Sequence, residues 1–563
     1  RWYTLGMKLP RRASLWEIFS HSVPIRAGFG AVLLLSLFAW APATYPGYWQ
    51  AQEGFIPVFN ITQTNSLANV GVTPDLWRGM GQATFLLSRP FLLLGVSPTT
   101  TVRLGFILYS ILGTLGCYSW LRLRLGDRAA GLAGVIYLFA PLLLATIYLR
   151  GSLSDMAVVA LLPMALAGLT SYAQTRSLSA AGIAVLALLW IWQAQAGLAL
   201  ICTIVLFTYA LLVERSGLTA LIVGASAMAG MTSLAGVWHV RAESFVPFAE
   251  HFVYPYQLFH QDWQFPHSIA GPNDRFPYQL SIIALLYTVL YGLVRFTPSL
   301  LHESAPYQSE SDIQIRRLWL FGCTINVLLI ALTLPWSNPL WQWSHADQLL
   351  TYPWQILLIT LPFWAATAGA LPTTHQLFRK TPLWVVLLAM VVLSSSPYLD
   401  AEYTEVDVPA TPIAFIGSNA NVAVLRAGLT EKRQPRAAEL TIIWQTLQPL
   451  SFDYNIFFQA LRIDEESTQA DKQTERRPLP IEQTLSVIAQ LDSQPLRDGP
   501  AATAWQPGQI FTATYQLDLS QLDDAVRGEE AHLLYYFGYY DWRDGQRLPV
   551  NQGVDDKLII YGP

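Results

Sequence analysis

The chain has 563 residues, of which 53% are hydrophobic and only 13% charged, with 20 Trp and a formal net charge of -4. Soluble domains carry roughly 25% charged residues, so most of this chain is expected in lipid, and its charge makes no case for a nucleic-acid partner. Cys117, Cys202 and Cys323 all sit in apolar runs without CxxC or CxxCH spacing, which argues against a structural metal, an attached haem or a disulfide framework.

In chain order, Arg1, Lys8, Arg11 and Arg12 precede the first apolar run. This basic start resembles a signal anchor, and because Arg1 is not Met the true start is expected to be missing or removed. The run has no convincing small-residue cleavage site and reads as a membrane helix. A spanning helix needs roughly 20 apolar residues. Runs of that order fall near 26–44, 100–121, 130–148, 155–174, 217–237, 279–295, 317–335, 352–371 and 382–397. The segment 180–213 is too long for one span and reads as two short helices turning at Gln193-Ala194-Gln195. The total is about eleven spans.

Basic residues orient these spans. The N-terminal cluster, Arg122/Arg124/Arg128, Arg176, Arg215, Arg316/Arg317 and Arg379/Lys380 all fall on one face, expected to be cytoplasmic. The predicted layout is a transmembrane domain over 1–399 with outer loops 45–99, 238–278 and 336–351. An extracytoplasmic domain over 400–563 follows, and the setting is the plasma membrane of a bacterial cell.

In the first outer loop Glu53, Asp75, Arg78 and Arg89 are set among Trp49, Trp77 and Phe91. The run Ala83–Gly95 is too short to span and is expected along the interface. At the next outer turn stands Tyr148-Leu-Arg150-Gly-Ser-Leu-Ser-Asp155. An Arg just outside a span can grip a phosphate with its planar fork. It can equally be an interfacial anchor or a partner for Asp155. The stretch Trp238–Leu280 leaves the membrane and returns. Its Tyr254, Tyr256, Phe259, Trp263, Phe265 and Phe276 alternate with Glu250, His251, His260, Asp262, His267 and Asp274. Rings with polar tips suit the bilayer boundary, and carboxylates there can serve a surface site. The plainer alternative is a loop that packs on helix ends. Beyond Asp400, LTIIWQTL, YNIFFQALRI, IFTATYQLDL and LLYYFGYYDW alternate with period two, as strands of an antiparallel sandwich do. Residues 464–500 read as a polar insertion or a partly ordered loop. No Walker loop, GxGxxG, HExxH or GxSxG stands in a convincing context.

Together these residues resemble a known family. Arg150-Gly-x-x-x-Asp155 followed by Pro163 looks like the RGxxxE…P signature of bacterial polytopic GT-C-type glycosyltransferase-like proteins, some labelled 6-pyruvoyl-tetrahydropterin synthase-related membrane proteins. HFVYPYQLFHQDW…GPNDRFPYQL is similar to their large outer loop. Ser337-x-x-Leu340-Trp341 with Tyr352-Pro353-Trp354-Gln355 resembles their S-x-x-L-W…FPWR turn. LTIIWQTLQPLSFDYNIFF, TAWQPGQIF and YYFGYYDWRDGQRLPV resemble the β-sandwich often appended to them. The resemblance implies a GT-C-like polytopic helical fold and transfer of a sugar from a polyprenyl-phosphate donor at the outer face. A first-loop carboxylate, here Glu53, would act as base on the acceptor hydroxyl. Arg150, with Asp155 in its motif, would hold the leaving phosphate, and Glu250 or Asp274 would shape the acceptor side. Glu53, Arg150, Asp155 and Glu250 are expected in one outer cleft. Membrane lipids are the implied partners, no cofactor is expected, and a divalent cation is left open. The chain departs from the family's D-G-x-x-H at Glu53-Gly-Phe-Ile-Pro57 and from the FPWR arginine at Gln355. The Ser-His-Asn of the split helices appears here as Gln193-Ala194-Gln195. A second reading follows, a non-catalytic subunit of a larger membrane assembly.

Overall fold

The helices are numbered here along the chain: α1 Ala27–Thr44, α2 Pro98–Leu125, α3 Asp127–Leu138, α4 Leu153–Thr175, α5 Leu178–Ala194 and α6 Ala196–Leu212. They continue as α7 Gly217–Gly230, α8 Ile282–Phe296, α9 Glu310–Thr333, α10 Leu357–Gly369 and α11 Thr381–Ser395. This is a computed structural model. It describes residues 26–45, 47–49, 51, 57–58, 61, 82–231, 248–259, 271–296, 310–401, 403, 412–418, 421–433, 436–448, 450–463, 485–496, 499–505, 508–519, 533–550 and 556–561.

Six helical segments are long and apolar enough to cross a membrane: α1, α2, α4, Asp312–Thr333, Pro353–Thr373 and Thr381–Leu399. A pair bent by 43°, α3 with Pro141–Arg150, makes a seventh if counted as one span. The apolar helices α5, α6, α7 and α8 are shorter. At about 1.5 Å per residue they fall below the roughly 30 Å hydrocarbon thickness. Length therefore supports six or seven crossings among the described residues, fewer than the eleven apolar runs suggested. The polar spot in 180–213 does end one helix and start another, with Gln195 extended between α5 and α6.

Small residues set the packing of these helices, as they do where lipid offers no hydrophobic contrast. A Cβ on Gly113 of α2 would lie 2.9 Å from Ala160 Cα of α4, and one on Gly131 of α3 would lie 2.5 Å from Gly28 Cα of α1. At one end of the bundle Arg124 Nη2 meets Glu214 Oε2 at 2.7 Å, and Tyr209 and Thr170 each donate to Glu214 Oε1 at 2.7 Å. That end carries basic residues and the opposite end carries the C-terminal sheets.

The C-terminal region forms two four-stranded antiparallel sheets, ordered β1-β2-β3-β6 and β5-β4-β7-β8. Their strands are β1 Ala414–Ile416, β2 Val422–Arg433, β3 Arg436–Thr446, β4 Asn455–Ile463, β5 Leu485–Ser493, β6 Ile510–Asp518, β7 Leu533–Tyr540 and β8 Leu558–Tyr561. The four alternating segments read from sequence are β3, β4, β6 and β7. The polar 464–500 stretch is not wholly a loop, because residues 485–493 form β5. Alternation decides two faces. Val422, Val424, Ile442 and Trp444 enter the core between the sheets with Ile456, Phe458 and Tyr535. Ala423 and Leu425 turn the other way into the core of the helical domain, with Phe415, Ile443 and Ile510 packed against it. A bulge between Val424 and Arg426 leaves Leu425 as the extra residue on that face and shifts the register beyond it.

Candidate functional site

Pro141–Ala145 runs into a π turn, Thr146–Arg150, which ends at Gly151 in the left-handed region at φ +69°. A Cβ there would also lie 2.6 Å from Ala51 Cβ. Ser152 then caps α4 by accepting from Asp155 N at 3.4 Å. The extra residue in the wide turn carries Arg150 back over the first turn of α4, and π turns often mark such sites. Arg150 Nε donates to Asp155 Oδ2 at 2.7 Å, with the two side chains 3% and 0% exposed.

A third group closes the pair. Gln355 Nε2 donates to Asp155 Oδ1 at 3.0 Å and to Oδ2 at 3.2 Å. Its Oε1 accepts from Thr351 N at 3.0 Å and Tyr352 N at 3.1 Å, the reach-back of a capping box at the start of the 353–356 turn. The Arg150 guanidinium lies 5.0 Å from the ring centroids of both Tyr352 and Trp354. Those two rings stack on each other at 5.2 Å. A buried carboxylate is thus met by a guanidinium and a carboxamide, and the guanidinium by π faces, which offsets the cost of removing both charges from water.

The large loop packs on the same rings. His251 meets Tyr352 edge-on at 4.9 Å. Burial, with Arg150 adding to it, pushes His251 down from 6.5 to about 4. Phe276 stacks on Trp354 at 5.0 Å, and Tyr278 lies 5.6 Å from it. Asp274 fixes this edge of the loop by accepting from Phe276 N at 2.9 Å and from the Tyr278 hydroxyl. Gln257 Nε2 donates to Asp274 O at 2.7 Å.

Of the residues expected in one outer cleft, Arg150 and Asp155 come together as direct partners. Asp274 is buried and serves the loop's own structure. Glu250 is exposed, and among the described residues its carboxylate joins no part of the cluster. Its backbone oxygen accepts from Gly271 N at 2.7 Å. Glu53 lies outside the described residues, as do Asp75, Arg78, His260, Asp262 and His267. Sequence reasoning treated Gln355 as a lost charge and missed it as the partner of Asp155. Its position three residues after Tyr352 at a turn start signals the cap, not the bond to Asp155. Among the described residues no group of three His, Cys, Asp or Glu is placed to hold a metal ion.

No family model matches the chain, and no curated protein matches it. Among solved structures it is similar to the arabinofuranosyltransferase AftD from mycobacteria, at 18% identity and a TM-score of 0.40, over 66% of this chain and 28% of that one. It is also similar to the oligosaccharyltransferase of Archaeoglobus fulgidus, at 9% identity and a TM-score of 0.34, over 67% of this chain and 57% of that one. The chain thus spans less than two thirds of either neighbour. At these scores neither likeness carries an argument about fold or activity.

Proposed function

We propose that the chain is a glycosyltransferase-like integral membrane protein of the extracytoplasmic face whose phosphate-gripping locus has become a structural clasp. In this reading about eleven apolar segments enter the bilayer. The N-terminus is cytoplasmic, the sandwich lies outside, and the membrane is a bacterial plasma membrane. The observation that carries the proposal is the Arg150–Asp155 pair, 3% and 0% exposed and closed by Gln355. In sugar transfer from a polyprenyl phosphate, Glu53 would take the acceptor's hydroxyl proton as that oxygen bonds to the anomeric carbon. The sugar–phosphate bond breaks and its electron pair leaves on the phosphate, which needs a cation. Here the charge of Arg150 is already matched by Asp155, and His251 is neutral.

The test is transfer by the purified monomer from a polyprenyl-phosphate sugar. We expect a rate at least about a hundredfold below that of an enzyme with an intact base and cation. Robust transfer that Glu53→Gln abolishes would overturn the clasp and restore an active enzyme.

A second reading is a non-catalytic subunit of a larger membrane assembly, for example an energy-transducing one. It is supported by large aromatics on the surface: Trp336 is 72% exposed, Trp343 80% and Trp542 57%. Such rings favour interfaces. Native purification that recovers stable partner subunits, lost when Trp336 and Trp343 are replaced by Ser, would support it. Recovery of a monomer alone would end it.

A further inference from the structure

The turn Val213–Ser216 joins α6 to α7 at the basic end of the bundle, and four guanidiniums gather around it. Arg124 of α2 binds Glu214. Arg317 of α9 donates from Nη1 to Val213 O at 3.4 Å. Arg176, just past the end of α4, donates from Nη1 to Ser216 Oγ at 3.4 Å. Arg215 belongs to the turn itself, and its side chain is exposed.

The charges here do not balance. Glu214 is the one carboxylate on the turn, and Arg124 already holds it at 2.7 Å, with the two side chains 4% and 3% exposed. Arg176, Arg215 and Arg317 meet no carboxylate among the described residues. Arg317 lies within electrostatic reach of both Arg215 and Arg124. Like charges so placed repel one another unless an anion sits among them. Arg176 and Arg215 also stand at φ +56° and +52°, in the left-handed region where glycine is the unstrained choice. The general bias of cations toward one membrane face spreads them over its turns, and does not by itself gather three unmatched ones on a single turn.

The surroundings point to the kind of anion. Leu211 and Leu212 end α6, Leu218 and Leu221 begin α7, and all four are exposed. A soluble phosphate gains nothing from these leucines. A phospholipid lays its chains along them and brings its phosphate to the level of the turn, where guanidinium forks match the phosphate oxygens.

We propose that the α6–α7 turn binds the phosphate of an anionic phospholipid, held by Arg215 and Arg317 with Arg176 at its edge. The proposal does not rest on the reading of Arg150.

The experiment uses the delipidated full chain in a non-ionic detergent, titrated with phosphatidylglycerol or phosphatidylcholine of the same chains and followed by native mass spectrometry. One cation near a membrane surface is worth about fivefold in affinity, so phosphatidylglycerol should bind at least about tenfold more tightly. Arg215→Gln changes a side chain with no hydrogen bond among the described residues, and should lower that preference at least about threefold. Arg215→Gln together with Arg317→Gln should erase it while phosphatidylcholine binding stays, which also reports that the variant folds. Lys380→Gln, at an exposed cation outside the turn, should leave the preference unchanged. The proposal is overturned if the wild type does not distinguish the two lipids, or if the double variant keeps the preference. Equal loss from Lys380→Gln and Arg215→Gln would overturn it as well. Displacement of the lipid by inorganic phosphate at equal concentration would assign a soluble anion instead and overturn it too.

Discussion

Arg150 has three possible occupations in sequence, a ligand phosphate, the membrane interface or Asp155, and the folded chain pairs it with Asp155. The consequence is measurable. Asp155→Ala leaves a guanidinium buried and uncompensated, and should destabilise by about 3–5 kcal/mol in detergent unfolding. The double change Arg150→Met with Asp155→Leu removes both charges and should cost less than Asp155→Ala alone. Gln355→Leu strips a donor from a buried carboxylate, at about 1–3 kcal/mol. His251 supplies a pH signature. Its folded pKa lies near 4 against 6.5 unfolded. Between those values the unfolded chain binds a proton that the folded chain refuses. Stability is therefore fully present above about pH 6.5 and falls as pH drops toward 4. His251→Gln should flatten that part of the profile, and an unchanged slope would show that other groups set it.

At the scale of elements, the π turn and Gly151 matter most, because they bring residue 150 over residue 155. Gly151 has φ +69° and no room for a methyl beside Ala51. Gly151→Ala should cost about 1–3 kcal/mol through backbone strain, with further loss from the clash. It should also loosen the clasp, seen as faster exchange of the Tyr352 and Gln355 amides. Protection equal to wild type would mean that the turn does not position the pair. The short helices α5 to α8 carry a related lesson. Their apolar runs are long enough to be read as spans, and in the run 180–213 Gln195 divides two helices. At Gly230 of α7 a Cβ would strike the Trp192 ring at 2.3 Å, so only glycine allows the close approach of α7 to α5.

At the scale of the whole molecule, the sandwich is docked on the helices through the outward face of β2, β3 and β6. Tyr403 adds to this seam, bridging to Trp49 and donating to Pro42 O. Leu425→Asp puts a charge into that contact without entering the core between the sheets. Limited proteolysis should then release the 412–563 region at least about tenfold faster, while the sandwich keeps its near-ultraviolet signal. Loss of that signal would mean that the sandwich needs the helices to fold. Protease added to intact spheroplasts tests the orientation, since cleavage of the C-terminal domain only after the membrane is opened would reverse it.

Composition and period were enough to separate a lipid-embedded helical domain from a C-terminal β region, because each records burial residue by residue along one element. The strands β3, β4, β6 and β7 were legible for that reason. The strand β5 was hidden because its residues alternate weakly and lie beside a polar stretch. The pairing of Arg150 with Asp155 was one of the options local spacing allowed. Choosing among them required Gln355, two hundred residues away in sequence. Nothing in a linear pattern reports that a carboxamide from one turn will close an ion pair on another. Only the tertiary fold brings Tyr352, Trp354 and His251 around that pair. Burial then makes the charges satisfy each other, because in a low-dielectric interior an unmatched one is too costly to keep.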